Sequence, residues 1–179
     1  MKKYDCIFLD RDGTLNPDSG YINNIADFNF YSFTIPALKL MSKINKFCIV
    51  TNQSGVERGL VSVENLFTIN KFIIKEFSNH KIPLIDILMC YDHPDNASDR
   101  RKPGPGMFIE AKTKYNLRLS NCLMVGDSIV DIQAGKDLGM ETMLVLTGEG
   151  QKTLDIIGNP KMVSYVVKNI YEGFKLICQ

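Results

Sequence analysis

The sequence of 179 residues carries a formal net charge of +1, and charged residues make up 23% of it. This near-neutral balance argues against partners that bind through bulk charge, such as nucleic acid or an anionic membrane. Apolar residues make up 45% of the chain, which is enough to build a substantial core. We therefore expect one globular domain over residues 1–179, in which a few local groups must hold any anionic ligand.

The N-terminal segment has no signal-peptide character. Its apolar run, Cys6–Leu9, is bounded by Asp5 and Asp10 and is too short for a signal core. No stretch of the sequence reaches the length needed to span a bilayer. The five cysteines are an odd number, widely spaced and mostly set in apolar runs, which favours buried free thiols in a reducing compartment. These features predict a cytoplasmic protein.

Five short runs, nearly continuous in apolar residues, are predicted to be strands that are covered on both faces. In chain order they are Tyr4–Leu9, Phe47–Thr51, Ile85–Tyr91, Asn121–Val125 and Glu141–Leu146. Helical periodicity predicts the other regular elements. These are Pro36–Asn45, Val63–Asn79, Gly106–Asn116, Ile129–Leu138 and Tyr171–Cys178. The sequence gives no functional interpretation for the glycine-rich segment Thr147–Pro160.

The longest predicted helix, Val63–Asn79, carries an apolar stripe at helical spacing, which predicts a core-facing side. The residues of this stripe are Leu66, Phe67, Asn70, Ile73, Ile74 and Phe77.

Alternating strands and helices predict an α/β fold, with a Rossmann-like, doubly wound parallel sheet and right-handed crossovers. Ligands of such sheets bind at the carboxyl ends of the strands. Unusual polar residues should therefore follow the predicted strands, and they do. They are Asp10, Thr51, Asp92 and Asp127.

Two aspartates follow the first predicted strand in the cluster Asp10-Arg11-Asp12-Gly13. Carboxylates two residues apart at a strand end can turn toward one cation, together with a backbone carbonyl. Gly13 permits a close approach of the backbone to a ligand. By itself, however, this cluster favours a polar turn that closes a strand.

Two further clusters follow later strands. The hydroxyl, side-chain amides and backbone N–H groups of Thr51–Gly55 can receive phosphate oxygens without adding charge. Taken alone, this cluster favours an ordinary capped loop between a strand and a helix. Arg101 and Lys102 precede a helix, and they can neutralise a phosphoryl group, Arg101 in a bidentate manner and Lys102 as a point charge. Alone, they could form a solvated basic turn.

A fourth cluster, Gly126-Asp127-Ser128-Ile129-Val130-Asp131, follows the fourth predicted strand. Asp127 can reach a metal across the end of the sheet, while Ser128 or Asp127 can cap the next helix. Asp131 lies one turn further along that helix. Direct metal ligation, orientation of the metal's surroundings and an exposed helix acid all remain open for Asp131.

The ordered set of four clusters resembles the four motifs of haloacid dehalogenase (HAD) superfamily phosphatases, over most of the chain. The resemblance implies a magnesium-dependent phosphatase with an aspartyl-phosphate intermediate. It further implies that Asp10 is the nucleophile and Asp12 the general acid and base. Thr51 and Lys102 would hold the phosphoryl group. Asp10, the backbone carbonyl of Asp12 and Asp127 would ligate Mg²⁺.

Longer stretches resemble the D-glycero-D-manno-heptose 1,7-bisphosphate phosphatases, and the related histidinol phosphatases share much of the pattern. The stretches are Phe8–Ile22, Thr51–Gly59, Met124–Ser128 and Arg101–Met107. The resemblance implies little or no cap domain, removal of the 7-phosphate of the heptose bisphosphate, and a role in the synthesis of lipopolysaccharide precursors. The substrate-binding residues implied are Asp18, Ser19, Gly20, Tyr21, Asn52, Gln53, Ser54 and Arg101.

This sequence departs from the family pattern at two places, both near the entrance to the expected substrate site. Family members commonly carry a structural zinc loop, but Cys90, Asp92, Ser98 and Arg100 stand at its four ligand positions. One thiolate with a carboxylate, a hydroxyl and a guanidinium cannot complete a tetrahedral zinc site, so we predict no structural zinc. The second departure is Ser128, where the heptose enzymes often carry lysine.

Several functional alternatives remain at this stage. A histidinol-phosphate phosphatase or another small-metabolite phosphatase would share the motifs, although Arg58 and Arg101 favour a second anionic group on the substrate. A phosphotransferase differs only in excluding water. A non-catalytic phosphate-binding module would lack a catalytic carboxylate, and none is missing. A phosphorylated sugar is the expected partner of this chain, which we expect to be a monomer.

Overall fold

The computed structural model describes residues 2–179, within which six parallel strands alternate with helices. The strands are β1 (Cys6–Leu9), β2 (Phe47–Asn52), β3 (Leu84–Cys90), β4 (Cys122–Gly126), β5 (Glu141–Val145) and β6 (Tyr165–Val167). The α-helices are α1 (Thr34–Met41), α2 (Val63–Asn79), α3 (Gly106–Tyr115), α4 (Ile129–Asp137), α5 (Gly150–Ile157) and α6 (Ile170–Cys178).

The strand order is β3-β2-β1-β4-β5-β6, so the chain winds outward in both directions from the central pair β1 and β4. Leu9 pairs with Val125 across this central pair, and the N–H of Asp10 donates to the carbonyl of Val125 at 2.9 Å. The predicted doubly wound α/β fold is confirmed. Its switch point lies between β1 and β4, where such sheets bind ligands at the carboxyl ends of the strands.

Successive residues of β1 point to opposite faces of the sheet and enter two separate cores. Ile7 and Leu9 pack with α1, α2 and α6, while Cys6 and Phe8 pack with α3 and α4. Helices on both faces explain why the central strands are continuous apolar runs. The cysteines are free thiols, as predicted from their apolar surroundings.

The predicted core-facing stripe of α2 is wrong at two positions. The side chains of Phe67 and Ile74 are 57% and 53% exposed, whereas Ile69, which was not predicted, is fully buried. The buried face is therefore rotated by a fraction of a turn, because α2 packs through Ile69, Ile73 and neighbouring residues. The Lys71 ammonium covers the ring of Phe67 at 4.6 Å from its centroid.

Strand β6 and helix α5 were not predicted from the sequence. The apolar signal of Tyr165–Val167 covers only three residues, which is too short for a confident assignment by pattern. Helix α5 lies inside the segment Thr147–Pro160 and ends at Gly158, whose φ of 65° suits a helix C-terminus. The segment is therefore an ordered loop and helix that follow β5.

The connections beside the carboxyl ends of the strands are short. Residues 10–33, between β1 and α1, hold one 3-10 turn (Ile25–Asp27), and only ten residues, 53–62, separate β2 from α2. Neither connection contains a further domain, which agrees with the predicted absence of a large cap. Within residues 2–179, no helix combines the length and the hydropathy that crossing a membrane requires.

Candidate active site

Three buried carboxylates meet at the carboxyl ends of β1 and β4. Asp10 follows β1, Asp127 follows β4, and Asp131 lies in the first turn of α4. One oxygen from each carboxylate lies within 4.8 Å of the others. The side chain of Asp131 is completely buried, so the exposed-acid alternative for this residue is excluded.

The ammonium group of Lys102 reaches this carboxylate cluster from the loop before α3. Its Nζ donates to Oδ1 of Asp10 at 2.8 Å and to the carbonyl of Val50 at 2.7 Å. It also forms an ion pair with Oδ1 of Asp131 at 2.7 Å. Lys102 thus joins a nucleophile candidate on β1 to an acid on α4.

Burial dominates the electrostatics of the cluster. It raises the pKa of Asp10 well above its usual value, against the opposing charge of Lys102. Burial, with the charge of Asp131, also raises the pKa of Asp127 to about 7. For Lys102, burial would lower the pKa, but the charges of Asp10 and Asp131 outweigh this effect and raise it.

These residues fit a divalent cation that prefers oxygen ligands. Three carboxylates and one ammonium leave two negative charges at the buried site when all four groups are ionised, which is the charge that Mg²⁺ would balance. Carboxylate oxygens are also the ligands that Mg²⁺ prefers. The raised pKa of Asp127 indicates how strongly the site favours an added positive charge, whether proton or cation.

The loop between β5 and α5 fixes the orientation of Asp127. The N–H of Glu149 donates to Oδ2 of Asp127 at 2.8 Å, and the hydroxyl of Thr14 donates to Oδ1 at 3.2 Å. The loop is itself tied down, since the hydroxyl of Thr147 donates to the carbonyl of Gly13 at 2.6 Å. A sequence segment without an assigned function therefore positions a predicted metal ligand.

Gly13 and Gly148 make this close packing possible. Both have a positive φ, of 80° and 54°, and a Cβ at either position would lie 2.1 Å from Oδ2 of Asp127. Any side chain at these positions would therefore displace the carboxylate of Asp127. Glycine is therefore required at both positions for two reasons: a side chain would collide with Asp127, and the backbone has a positive φ.

The carboxylate of Asp12 does not belong to the three-carboxylate cluster and has its own donors. Arg11 binds both of its oxygens, from Nη2 to Oδ2 at 2.6 Å and from Nε to Oδ1 at 3.1 Å. Asn16 donates to Oδ1 and Gln53 donates to Oδ2, each at 2.8 Å. Gln53 also donates to the hydroxyl of Thr51 at 2.9 Å.

Asn52 and Arg101, both predicted to bind substrate, also make contacts within the protein. The side-chain amide of Asn52 accepts from the N–H of Lys102 at 3.0 Å and donates to the carbonyl of Lys102 at 3.1 Å. This reciprocal pair holds the backbone that carries Lys102. Arg101 is half-buried, and its Nη1 donates to the carbonyl of Asp92 at 2.9 Å.

A cleft of about 410 Å³ opens above the cluster. All but one of the residues predicted to form the site line this cleft. They are Asp10, Asp12, Asp18, Gly20, Tyr21, Thr51, Asn52, Gln53, Ser54, Arg101, Lys102 and Asp127. The exception is Ser19, whose side chain is exposed, because Oδ1 of Asp18 accepts from the N–H of Gly20 and places Ser19 at the tip of a turn.

Comparison with known proteins places this site in a family. A family model described as HAD-hydrolase-like matches residues 99–172. The D-glycero-β-D-manno-heptose-1,7-bisphosphate 7-phosphatase of Pasteurella multocida is 36% identical over 185 aligned positions, which cover 99% of this chain and 97% of the relative. The enzyme of the same name from Escherichia coli K12 is 34% identical and covers 83% of this chain and 82% of the relative. The chain belongs to this phosphatase family.

The crystal structure of a family member agrees with this assignment. The D,D-heptose 1,7-bisphosphate phosphatase of B. bronchiseptica, complexed with magnesium and phosphate, superposes with a TM-score of 0.88 at 31% identity, covering 99% of this chain and 98% of that one. The HAD phosphatase fold and the hydrolase class expected from the four motifs are thus confirmed.

At the positions where the heptose-bisphosphate phosphatase family commonly holds zinc, this chain has a different set of contacts. The carboxylate of Asp92 accepts from both the N–H and the hydroxyl of Ser98, at 2.8 and 2.5 Å. Arg100 donates to the carbonyl of Met89 at 2.8 Å and pairs with Glu110. Hydrogen bonds therefore connect Asp92 with Ser98, whereas the side chain of Arg100 contacts residues outside the four positions.

The cleft also contains residues to which the sequence assigned no role, namely Gly55, Val130 and Glu149. Glu149 follows β5, so the rule that places ligand-binding residues after strands could have identified it. Gly55 packs against the ring of Tyr21, since a Cβ there would lie 2.6 Å from Cδ1 of the ring. Val130 lies within the fourth sequence cluster, between Ser128 and Asp131, and lines the cleft beside them.

Proposed function

We propose that this phosphatase removes the 7-phosphate from D-glycero-β-D-manno-heptose 1,7-bisphosphate, with Mg²⁺, and so contributes to lipopolysaccharide precursor synthesis. The observation that carries the proposal is the cleft itself, in which Asp10, Lys102 and Asp127 meet. It belongs to a chain 36% identical to a phosphatase with that substrate in its name.

In the first step, a carboxylate oxygen of Asp10 attacks phosphorus and forms an acyl phosphate as the ester P–O bond breaks. Asp12 donates a proton to the departing sugar alkoxide. In the second step, Asp12 removes a proton from water, which attacks the phosphorus and releases inorganic phosphate and free Asp10. The two residues lie on the same turn after β1, so one backbone segment positions both.

Lys102 and Thr51 are the proposed phosphate-binding residues. The ammonium of Lys102 already lies 2.8 Å from Asp10, so it can follow the phosphoryl oxygens onto the acyl phosphate. The hydroxyl of Thr51 is at the carboxyl end of β2, the strand next to β1. Fixed donors that point to the equatorial oxygens stabilise the charge that develops during transfer.

Asp10, the backbone carbonyl of Asp12 and Asp127 are the proposed ligands of Mg²⁺. The bound cation would reduce the repulsion between an anionic nucleophile and an anionic substrate. Asp131 is proposed to hold Lys102 rather than the cation, because its Oδ1 lies 2.7 Å from Nζ and its Oδ2 accepts from the N–H of Ser128.

The sugar and its second phosphate are proposed to occupy the outer cleft. The residues proposed to contact them are Asp18, Gly20, Tyr21, Gln53, Ser54 and Arg101, with Ser19 and Asn52 as supports of the same loops. Arg101 would bind the distal phosphate, since its guanidinium is charged and lines the cleft. The proposal includes a single domain over residues 1–179, a monomer and a cytoplasmic location.

The test is magnesium-dependent phosphate release from heptose 1,7-bisphosphate and from histidinol phosphate, measured side by side. We expect a strong preference, in kcat/KM, for the bisphosphate, and no turnover by the Asp10→Asn variant with its circular dichroism unchanged. A preference for histidinol phosphate would reassign the substrate. Appreciable turnover by pure Asp10→Asn protein would refute the assignment of Asp10 as the nucleophile.

A further inference from the structure

We infer that Arg11, assisted by Gln53, is a positioning residue that holds the carboxylate of Asp12 in the orientation required for proton transfer. This inference rests on the proposed function, which makes Asp12 the general acid and base. The residues contact one another on one side of the cleft, directly beside the proposed phosphate-binding hydroxyl of Thr51.

Arg11 is a buried cation whose only ion pair, among residues 2–179, is with Asp12. Its side chain is 1% exposed. Both carboxylate oxygens of Asp12 accept from it, at 2.6 and 3.1 Å. Two parallel hydrogen bonds from a planar guanidinium fix the plane of a carboxylate as well as its distance. A single bond from an ammonium would leave that plane free to rotate.

The remaining contacts of Arg11 orient the guanidinium itself. The guanidinium lies over the ring of Phe28, 5.9 Å from its centroid, and Nη2 donates to Oε1 of Gln53 at 3.1 Å. Nη1 is buried and has no hydrogen-bond partner among the described residues.

Gln53 extends the arrangement to the phosphate-binding side. Since its Oε1 accepts from Arg11, the amide orientation is fixed and Nε2 must point to Oδ2 of Asp12 and Oγ1 of Thr51. Rotation of the Gln53 amide would break all three contacts together. We therefore assign Gln53 a positioning role in addition to any contact with the sugar.

The chemistry makes this role measurable. Proton donation by Asp12 accelerates the reaction most when the departing alkoxide or phenoxide is a poor leaving group, as in an alkyl phosphate or phenyl phosphate. It matters little when the leaving group is 4-nitrophenolate, which departs as a stable anion. Misorientation of Asp12 should therefore reduce rates selectively for poor leaving groups, whereas a general loss of folded protein reduces all rates equally.

The experiment measures kcat/KM for a series of aryl phosphates, from phenyl to 4-nitrophenyl phosphate, because kcat/KM reports the steps up to formation of the acyl phosphate. We expect the kcat/KM of Arg11→Lys to fall roughly 100-fold on phenyl phosphate and about threefold or less on 4-nitrophenyl phosphate. The kcat/KM of Gln53→Leu should show the same selective loss on phenyl phosphate, by a smaller factor. Asp12→Asn should show the largest selectivity.

Arg118→Lys is the matched control, since Arg118 is an exposed arginine that also contacts both oxygens of an aspartate, Asp5. It should leave the whole series unchanged. If Arg11→Lys does not fold, as judged by circular dichroism, Gln53→Leu carries the test.

A parallel loss on all substrates, or no loss, in the folded Arg11 or Gln53 variants would overturn the positioning role. If Asp12→Asn itself shows no leaving-group selectivity, the acid–base role in the proposed function fails instead.

Discussion

The ammonium of Lys102 lies 2.7 Å from Oδ1 of Asp131, in an ion pair whose side chains are 2% and 0% exposed. Lys102 comes from the loop before α3 and Asp131 from the first turn of α4, so this contact joins elements on one face of the sheet. Asp131 also caps its own helix by accepting from the N–H of Ser128 at 3.1 Å. One carboxylate thus fixes both a helix terminus and the lysine at the site.

Removal of Lys102 should destabilise the metal-free protein strongly. Lys102→Met leaves Asp10 and Asp131 buried without their counter-charge, and loss of one partner from a buried pair costs about 3–5 kcal/mol. Chemical denaturation in EDTA measures this change in the free energy of unfolding. Lys114→Met is the control, because Lys114 pairs with Asp86 at the surface and should contribute much less. Equal effects of the two substitutions would contradict the importance of the buried pair.

The metal-free protein should lose stability as the pH rises toward 8. The pKa of Asp127 is about 7 in the folded protein, above the ordinary 3.8 of an unfolded aspartate. Between these values the folded state binds more protons, so the free energy of unfolding falls with rising pH. Denaturation in EDTA at about pH 5 and pH 8 should show this decrease, and Asp127→Asn should reduce it. If the free energy of unfolding of Asp127→Asn falls with pH as steeply as that of the unmodified protein, groups other than Asp127 cause the pH dependence.

Gly148→Ala should weaken magnesium binding. Its Cβ would lie 2.1 Å from Oδ2 of Asp127 and 2.6 Å from Cα of Gly13, so the carboxylate must move. Disturbing the support of a metal ligand typically reduces metal affinity about 10- to 100-fold. Calorimetric titration with Mg²⁺ measures the affinity without turnover.

The matched control for Gly148→Ala is Gly158→Ala. Gly158 also has a positive φ, 65°, but its Cβ would meet nothing within 4 Å. This substitution should cost about 1–2 kcal/mol of stability through backbone strain and leave magnesium affinity unchanged. If both substitutions weaken magnesium binding equally, strain rather than contact with Asp127 is responsible.

The purified protein should contain no stoichiometric zinc. Cys90 is the one cysteine at the four positions where the family commonly holds the metal, and the Asp92–Ser98 hydrogen bonds connect the same loop. Elemental analysis should find far less than one zinc per chain, and a zinc-selective chelator should leave the melting temperature unchanged. Stoichiometric zinc, or a lower melting temperature after chelation, would contradict this prediction.

The sequence by itself determined the order of β1 to β5, of the helices α1 to α4 and α6, and the polar residues that follow the strands. Val63–Asn79 was predicted with its observed bounds, and Asp10, Thr51 and Asp127 lie where strand ends were expected. Local patterns suffice for this, because apolar runs and helical periods are properties of neighbouring residues, and a parallel sheet gathers its carboxyl ends at one edge.

Only the tertiary structure decided how distant side chains meet at that edge. The sequence left Asp131 open between three roles, and it gave no role to Glu149, whose N–H holds Asp127. It also misplaced Phe67 and Ile74, because the face that a helix buries depends on the elements packed against it. Such contacts join residues far apart in the chain, and packing of the helices on the sheet sets their distances.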